Sequence, residues 1–184
     1  MSWTETHGPY LHSGLLIPKM VHSLIGAWPK TLLDAGGGGG TVGHGVWPTS
    51  TKISVLDAWP PKVTPANFTL GSVLDVVSIY GAKVFDVTIF CEVIEHLVVP
   101  EGYKALEALE AVTEKLVILT TPNGFQPHGP TFAPNEPWAD NPLQEHLSGW
   151  TKEMLQKVGY SVYFNNGHEQ EAGAQLIAWK LLIG

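Results

Sequence analysis

The stretch "TLLDAGGGGGTVG", Thr31 to Gly43, decides how this chain is read: a short apolar run ends in an acid, and five consecutive glycines follow. Ordering so many glycines costs backbone entropy, so the run predicts a place where a ligand approaches the main chain too closely for a Cβ. A glycine-rich turn between a strand and a helix offers such a place, because the amides at the helix N-terminus hydrogen-bond an anionic group. Two registers fit. Gly38, Gly40 and Gly43 satisfy G-x-G-x-x-G, the dinucleotide pattern, with Asp57 as a ribose ligand 19 residues after Gly38. Asp34, Gly36, Gly38 and Gly40 satisfy D-x-G-x-G-x-G, with the acid at the strand end itself. The second register suits "TLLDA" better, because a dinucleotide loop starting directly behind it, at Gly36, meets Thr41 where a third glycine is required. A flexible turn with no ligand is the plain alternative.

On either side of the glycines the pattern alternates. "SGLLIPKMVHSLIGAW", from Ser13, spaces its apolar residues as a helix does, and residues 1–29 form a leading helical region. Short β-type runs follow: "KTLLDA", "KISVLDAW", "NFTL", "KVFDVTIFC" and "EKLVILTT", with the helical "EGYKALEALEAVT" before the last. Such alternation predicts an α/β domain with parallel strands and helices packed on the sheet. Residues 122–147, rich in Pro, Asn and aromatics, are too long for an ordinary connection and are read as a lid or substrate loop. A helix, "SGWTKEMLQKVG", and a terminal hairpin of "YSVYFN" and "AQLIAWKLLI" complete the chain.

Composition narrows the class. The 184 residues suffice for one domain with a real core, and 44% hydrophobic against 15% charged residues excludes a disordered chain. Seventeen acids against ten basic residues give a net charge of −7, which disfavours a partner held through many phosphates. The single cysteine, Cys91, leaves no internal disulfide and fits a reducing compartment. No apolar run is long enough to span a membrane and the N-terminus lacks a secretory pattern, so the expected location is the cytoplasm.

Further motifs lie at informative places. Asp57 ends "KISVLDAW", 23 residues after Asp34, and Ala58 and Trp59 follow it. "TLGSVLDV" places Ser72 and Val73 after the third strand. "VFDVTIFCEVIEHL" spans Val84 to Leu97, "KLVILTTPNGF" spans Lys115 to Phe125, and "NPLQEHLSGWTKEMLQKVGYSV" spans Asn141 to Val162. With the Asp34 register, these segments resemble the class I S-adenosylmethionine-dependent methyltransferases, in the branch with E-V-I-E-H-L and T-P-N-G motifs. The likeness runs from about residue 30 to 165.

That resemblance implies a Rossmann-like fold: a mostly parallel seven-stranded sheet, helices on both faces and a C-terminal antiparallel hairpin. It implies S-adenosylmethionine as cofactor, with S-adenosylhomocysteine as product. Asp34, Gly36, Gly37 and Gly38 would surround its amino-acid end, and Cys91 and Glu92 would lie beside the methionine part. Asp57 would accept from both ribose hydroxyls, as a carboxylate can from a vicinal diol. Ala58, Ser72 and Val73 would line the adenine, although Ser72 stands where the family usually has an acid. For Asp57 a helix or turn cap is the alternative, for Trp59 a packed loop aromatic, and for Glu95 and His96 a cap on the following helix.

Methyl transfer from a sulfonium is an in-line displacement, so alignment of donor and acceptor does most of the work. If the acceptor is a hydroxyl, a base must take its proton, and His96 and His146 are the candidates, with His128 nearby. The expected acceptor is a small polar molecule, with no nucleic acid and no metal. Two other enzymes remain open: a nicotinamide-dependent oxidoreductase in the Gly38 to Gly43 register, and a metal-dependent one. For the latter, Glu92, Glu95, His96 and His146 resemble the cluster of the magnesium-dependent small-RNA 2′-O-methyltransferases. A catalytically silent cofactor-binding module is the non-enzymatic reading. Phe125, Phe132 and Trp138 in the lid suit an apolar cover or a loop core equally.

Overall fold

The computed structural model describes residues 13–38, 47–62, 64–127, 141–165 and 174–182. Gly40, Gly43, His128, Phe132 and Trp138, and with them most of the proposed lid, lie outside the described residues.

Seven strands form one sheet: β1 Thr31–Ala35, β2 Lys52–Asp57, β3 Phe68–Leu70, β4 Phe85–Cys91, β5 Thr113–Pro122, β6 Ser161–Phe164 and β7 Gln175–Leu181. Their order is β3-β2-β1-β4-β5-β7-β6. The first five run parallel, and β7 is antiparallel to both β5 and β6. The expected architecture is therefore the one observed, with β7 inserted between β5 and β6. Asp34 sits opposite Val55 of β2 and Ile89 of β4, at the point where the strand order reverses. In open α/β sheets that reversal opens a crevice beyond the carboxyl ends of the strands.

Central parallel strands are covered on both faces and so read as continuous apolar runs. All seven residues of β4 are buried, and successive side chains serve different cores. Leu32, Ile89, Leu116, Ile118 and Ile177 pack under α1 (Ser13–Ile25) with Ile17 and Val21. Leu33, Phe90, Val117, Leu119 and Leu176 face the other way. There they meet α2 (Val76–Tyr80), α3 (Val99–Val112) and α4 (Lys152–Lys157) through Val76, Ala105, Leu109 and Leu155. Helices thus cover both faces.

Two helices differ from their sequence patterns at the boundaries. α3 starts earlier than "EGYKALEALEAVT" because Pro100 is tolerated in the first turn, where its missing N–H has no intrahelical acceptor. α4 starts later than "SGWTKEMLQKVG", at Lys152, because Thr151 caps it by accepting from the Met154 amide. The preceding Trp150 is held in β-bridges to Asn123 and Gly124 instead.

At the amino ends of the central strands, opposite the crevice, Asp86 accepts from the Lys30 amide at 2.6 Å and pairs with Lys115 Nζ at 2.6 Å. Burial pushes its carboxyl up, but the Lys115 side chain and the Lys30 and Thr31 amides outweigh this and hold it below the ordinary value. No helix among the described residues is long and apolar enough to cross a membrane.

Candidate active site

The turn after β1 shows what its glycines are for. Gly36 has φ +75°, and a Cβ on it would overlap the Val93 side chain. Gly37 faces the Asp34 carboxylate, where a Cβ would lie 2.6 Å from Oδ2. Gly38 has φ +52° and donates its amide to Asp57 Oδ2 at 2.9 Å. The Gly36 amide donates to the Leu56 carbonyl at 2.6 Å, so the turn is tied to β2 at two points. Left-handed backbone and close approach together explain three consecutive glycines. Gly40 and Gly43, which the dinucleotide register needs, lie outside the described residues.

Asp57 is the junction of three segments. Besides Gly38, its carboxylate accepts from the Trp59 amide at 2.8 Å, while its carbonyl accepts from Gly71 at 2.9 Å. Burial raises its carboxyl above the ordinary value, and the Trp59, Gly38 and Ala58 amides oppose the rise. Ser72 caps the next turn, its Oγ accepting from the Leu74 amide at 3.1 Å.

A cleft of about 140 Å³ joins these segments. Gly36, Asp57, Ala58, Ser72, Val73, Glu92 and His96 all line it, so most of the sequence candidates converge. Asp34 lies behind Gly37, 1% exposed. Cys91 is turned away into the α1-side core, and burial, followed by the Asp34 charge, pushes its thiol well up.

Glu92, directly after β4, has a left-handed conformation, φ +55°, which costs about 1–2 kcal/mol for a residue with a Cβ. Its amide donates to the Thr120 carbonyl at 2.9 Å, and its carboxylate is exposed and accepts from Gln175 Nε2 at 2.7 Å.

Beside the cleft, Glu95 is 2% exposed and its Oε2 accepts from Thr121 at 3.0 Å. Burial, and then the Glu92 charge, raises its carboxyl well above the ordinary value. Oε1 has no hydrogen-bond partner among the described residues. The His96 and His146 rings meet edge to face at 4.8 Å. His96 Nδ1 is 3.1 Å from the Glu145 carbonyl and His146 Nδ1 is 2.6 Å from that of Gln126. A carbonyl only accepts, so both Nδ1 atoms carry a proton. One ligand atom each from Glu95, His96 and His146 lies within 4.8 Å of the others. Glu92 is not one of that trio: its carboxylate acts on Glu95 from beside it and accepts from Gln175.

Sequence reading missed several lining residues. Gly71, Val93 and Leu97 sit within quoted motifs, but nothing local marks them as facing the cleft. Asn141, Leu143 and Gln144, from the far end of the proposed lid, also line it, and their N-P-L-Q run was the available signal. Gln175 lies 83 residues from Glu92 and carries no local signature.

Neither a family model nor a curated protein matches this chain. Solved structures do. The 1,6-didemethyltoxoflavin-N1-methyltransferase of Burkholderia thailandensis, crystallised with 1,6-didemethyltoxoflavin and S-adenosylhomocysteine, aligns at TM-score 0.62 and 15% identity, over 92% of this chain and 77% of that one. The small RNA methyltransferase HEN1 aligns at TM-score 0.62 and 21% identity over 97% of this chain, which spans only 26% of its length. An S-adenosylmethionine-dependent methyltransferase from Archaeoglobus fulgidus aligns at TM-score 0.59 and 11% identity, covering 91% and 93% of the two chains. With the strand order and the cleft at its reversal, these likenesses identify the fold of this chain as that of the class I S-adenosylmethionine-dependent methyltransferases.

Proposed function

We propose that the protein is a methyltransferase that takes its methyl group from S-adenosylmethionine and delivers it to a hydroxyl of a small polar acceptor. One observation carries the reading: the Gly36 turn, Asp57, Ser72, Val73 and Glu92 line a single cleft at the strand-order reversal. A nucleoside fits this lining, with the ribose diol on Asp57, the base against Ala58 and Val73, and the amino-acid end toward Gly36 and Glu92. Among the described residues the cleft is lined by acids, side-chain amides, a histidine and apolar side chains and by no lysine, and the chain contains no arginine. That chemistry favours a neutral or cationic acceptor over a phosphorylated one.

S-adenosylmethionine, when bound, would supply an activated methyl group that the acceptor oxygen takes in an in-line displacement, with the carbon–sulfur bonding pair kept by the departing thioether. The hydroxyl proton leaves to Nε2 of His96, which lines the cleft and whose Nδ1–H is anchored on Glu145. His146, packed against His96, is the alternative base.

Calorimetry with S-adenosylhomocysteine tests the cofactor assignment, with micromolar affinity and no competition from NAD expected. Absence of binding overturns it, and competition by NAD restores the oxidoreductase reading. Transfer of a labelled methyl group to a panel of hydroxylated small molecules then tests the acceptor class, and binding without turnover on any of them supports a silent binding module.

A second reading rests on the trio of Glu95, His96 and His146. A buried carboxylate oxygen with no hydrogen-bond partner among the described residues, beside two imidazoles each anchored through Nδ1, fits a divalent cation, and two nitrogen donors suit Mn²⁺ or Zn²⁺ better than Mg²⁺. A bound cation would acidify an acceptor hydroxyl and leave neither histidine free as base. Thermal shift with each cation decides between the readings. A rise with the wild type that Glu95→Gln abolishes supports the metal, and no rise with any of the three supports the histidine base.

A further inference from the structure

Glu92 holds an unfavourable backbone conformation directly after a fully buried strand, yet its carboxylate is exposed in the cleft. A long exposed side chain has many rotamers, and a charge free to wander is a poor receptor for a ligand group. What fixes it comes from the other end of the sheet's connectivity. Gln175, the first residue of β7, donates Nε2 to Glu92 Oε1 at 2.7 Å. Its own Oε1 accepts from Asn165 Nδ2 at 2.8 Å, just beyond the end of β6. The Asn165 amide also donates to the Gln175 carbonyl at 2.9 Å, which fixes the pair relative to each other. The side-chain bond from Asn165 Nδ2 and the acceptor-only Glu92 carboxylate set the orientation of the Gln175 amide together: rotated by half a turn against Asn165 as it stands, it would set amino group against amino group and oxygen against carboxylate. Asn165 therefore directs the Gln175 N–H at Glu92.

We propose that Gln175, oriented by Asn165, is a positioning residue that holds the Glu92 carboxylate where it receives the α-ammonium group of the cofactor's amino-acid end. The assignment rests on the cofactor reading above and deepens it. Glu92 makes the contact, and Gln175 acts through it. The antiparallel strand β7 thereby takes part in a site otherwise built at the ends of the parallel strands.

Two ligands separate positioning from mere support of the fold. S-adenosylhomocysteine carries the ammonium group, and 5′-methylthioadenosine has the same nucleoside without the amino acid. Calorimetry on the full chain should show Gln175→Leu weakening S-adenosylhomocysteine about fivefold to tenfold, with 5′-methylthioadenosine unchanged. Glu92→Gln should show the same selectivity, and the double variant should be no weaker than Glu92→Gln alone. Asn165→Ala, which frees the Gln175 amide without touching Glu92, should give the same selective loss at about twofold to threefold, and it covers the case of a Gln175→Leu protein that does not fold. Equal losses for both ligands, or a Gln175→Leu factor that multiplies in full onto Glu92→Gln, overturns the assignment. A wild type that binds both ligands with Gln175→Leu indistinguishable from it overturns this proposal alone. A wild type that binds neither overturns the cofactor reading as well.

Discussion

Gly37 has no side chain because the Asp34 carboxylate stands where one would go, with Oδ2 2.6 Å from an ideal Cβ. Asp34 cannot retreat, being buried in β1 between β2 and β4. Gly37→Ala is expected to destabilise the protein by about 1–3 kcal/mol, the usual cost of overpacking. Urea denaturation measures it. Adding Asp34→Ser, which shortens the opposing group, should recover part of the loss, and full additivity of the two changes would refute the contact.

For Asp57, stability and ligand affinity should respond to pH in opposite directions. Its native carboxyl titrates above 3.8, mainly because it is buried. The native state then holds the proton more tightly than the unfolded chain, so the associated stability is complete below 3.8 and is lost as pH rises through the native value. Affinity for a ribose diol needs the ionised form and rises over that same interval. Asp57→Asn should flatten both profiles, and Asp57→Ala should weaken S-adenosylhomocysteine by about 1.5–3 kcal/mol per lost charged bond.

Asp86 should behave in the reverse sense. Lys115 and two backbone amides hold its carboxyl below 3.8 against the effect of burial. Its contribution is present above 3.8 and disappears as pH falls through the native value. Asp86→Asn is expected to lower stability at neutral pH by about 1.5–3 kcal/mol and to reduce the acid sensitivity of unfolding, as denaturation at pH 7 and pH 3 would show.

Gly102 lets α3 approach Trp150, whose indole lies where a Cβ would be. Trp150 is fully buried and donates Nε1 to Ser148 Oγ at 2.9 Å, so it has little room to shift. Gly102→Ala gains about 1 kcal/mol of helix propensity but is expected to lose more than that through overpacking. Gly102→Ala with Trp150→Phe should be closer to the Trp150→Phe parent than Gly102→Ala is to wild type, and equilibrium unfolding reads the difference.

The sheet was legible because its signal is local and repeated. β1, β2, β4 and β5 are apolar runs bounded by turns, and both-face burial in a parallel sheet demands that composition. Ends were less legible: Thr151 stops α4 from starting at Ser148, and no periodicity reports a cap and a β-bridge competing for the same residues. In the site, Asp57 and Glu92 were readable because one ends a strand and the other directly follows one. The partners that give them geometry were not. Gly71 reaches Asp57 through its backbone, and Gln175 reaches Glu92 across most of the chain, where only the folded sheet creates the neighbourhood.

The place of β7 also bears on the order in which the sheet can be completed. β6 leaves the ribosome first, but its strand neighbour is β7, which follows it. Until β7 arrives, β5 presents a row of unsatisfied amides and carbonyls along Leu116–Pro122 to any other extended chain. A chain that stops between Asn165 and Gln175 would therefore lose β7 and with it the pairing of β6, and leave a sticky apolar margin. Shortened products of this gene should accumulate as aggregates rather than as smaller folded proteins.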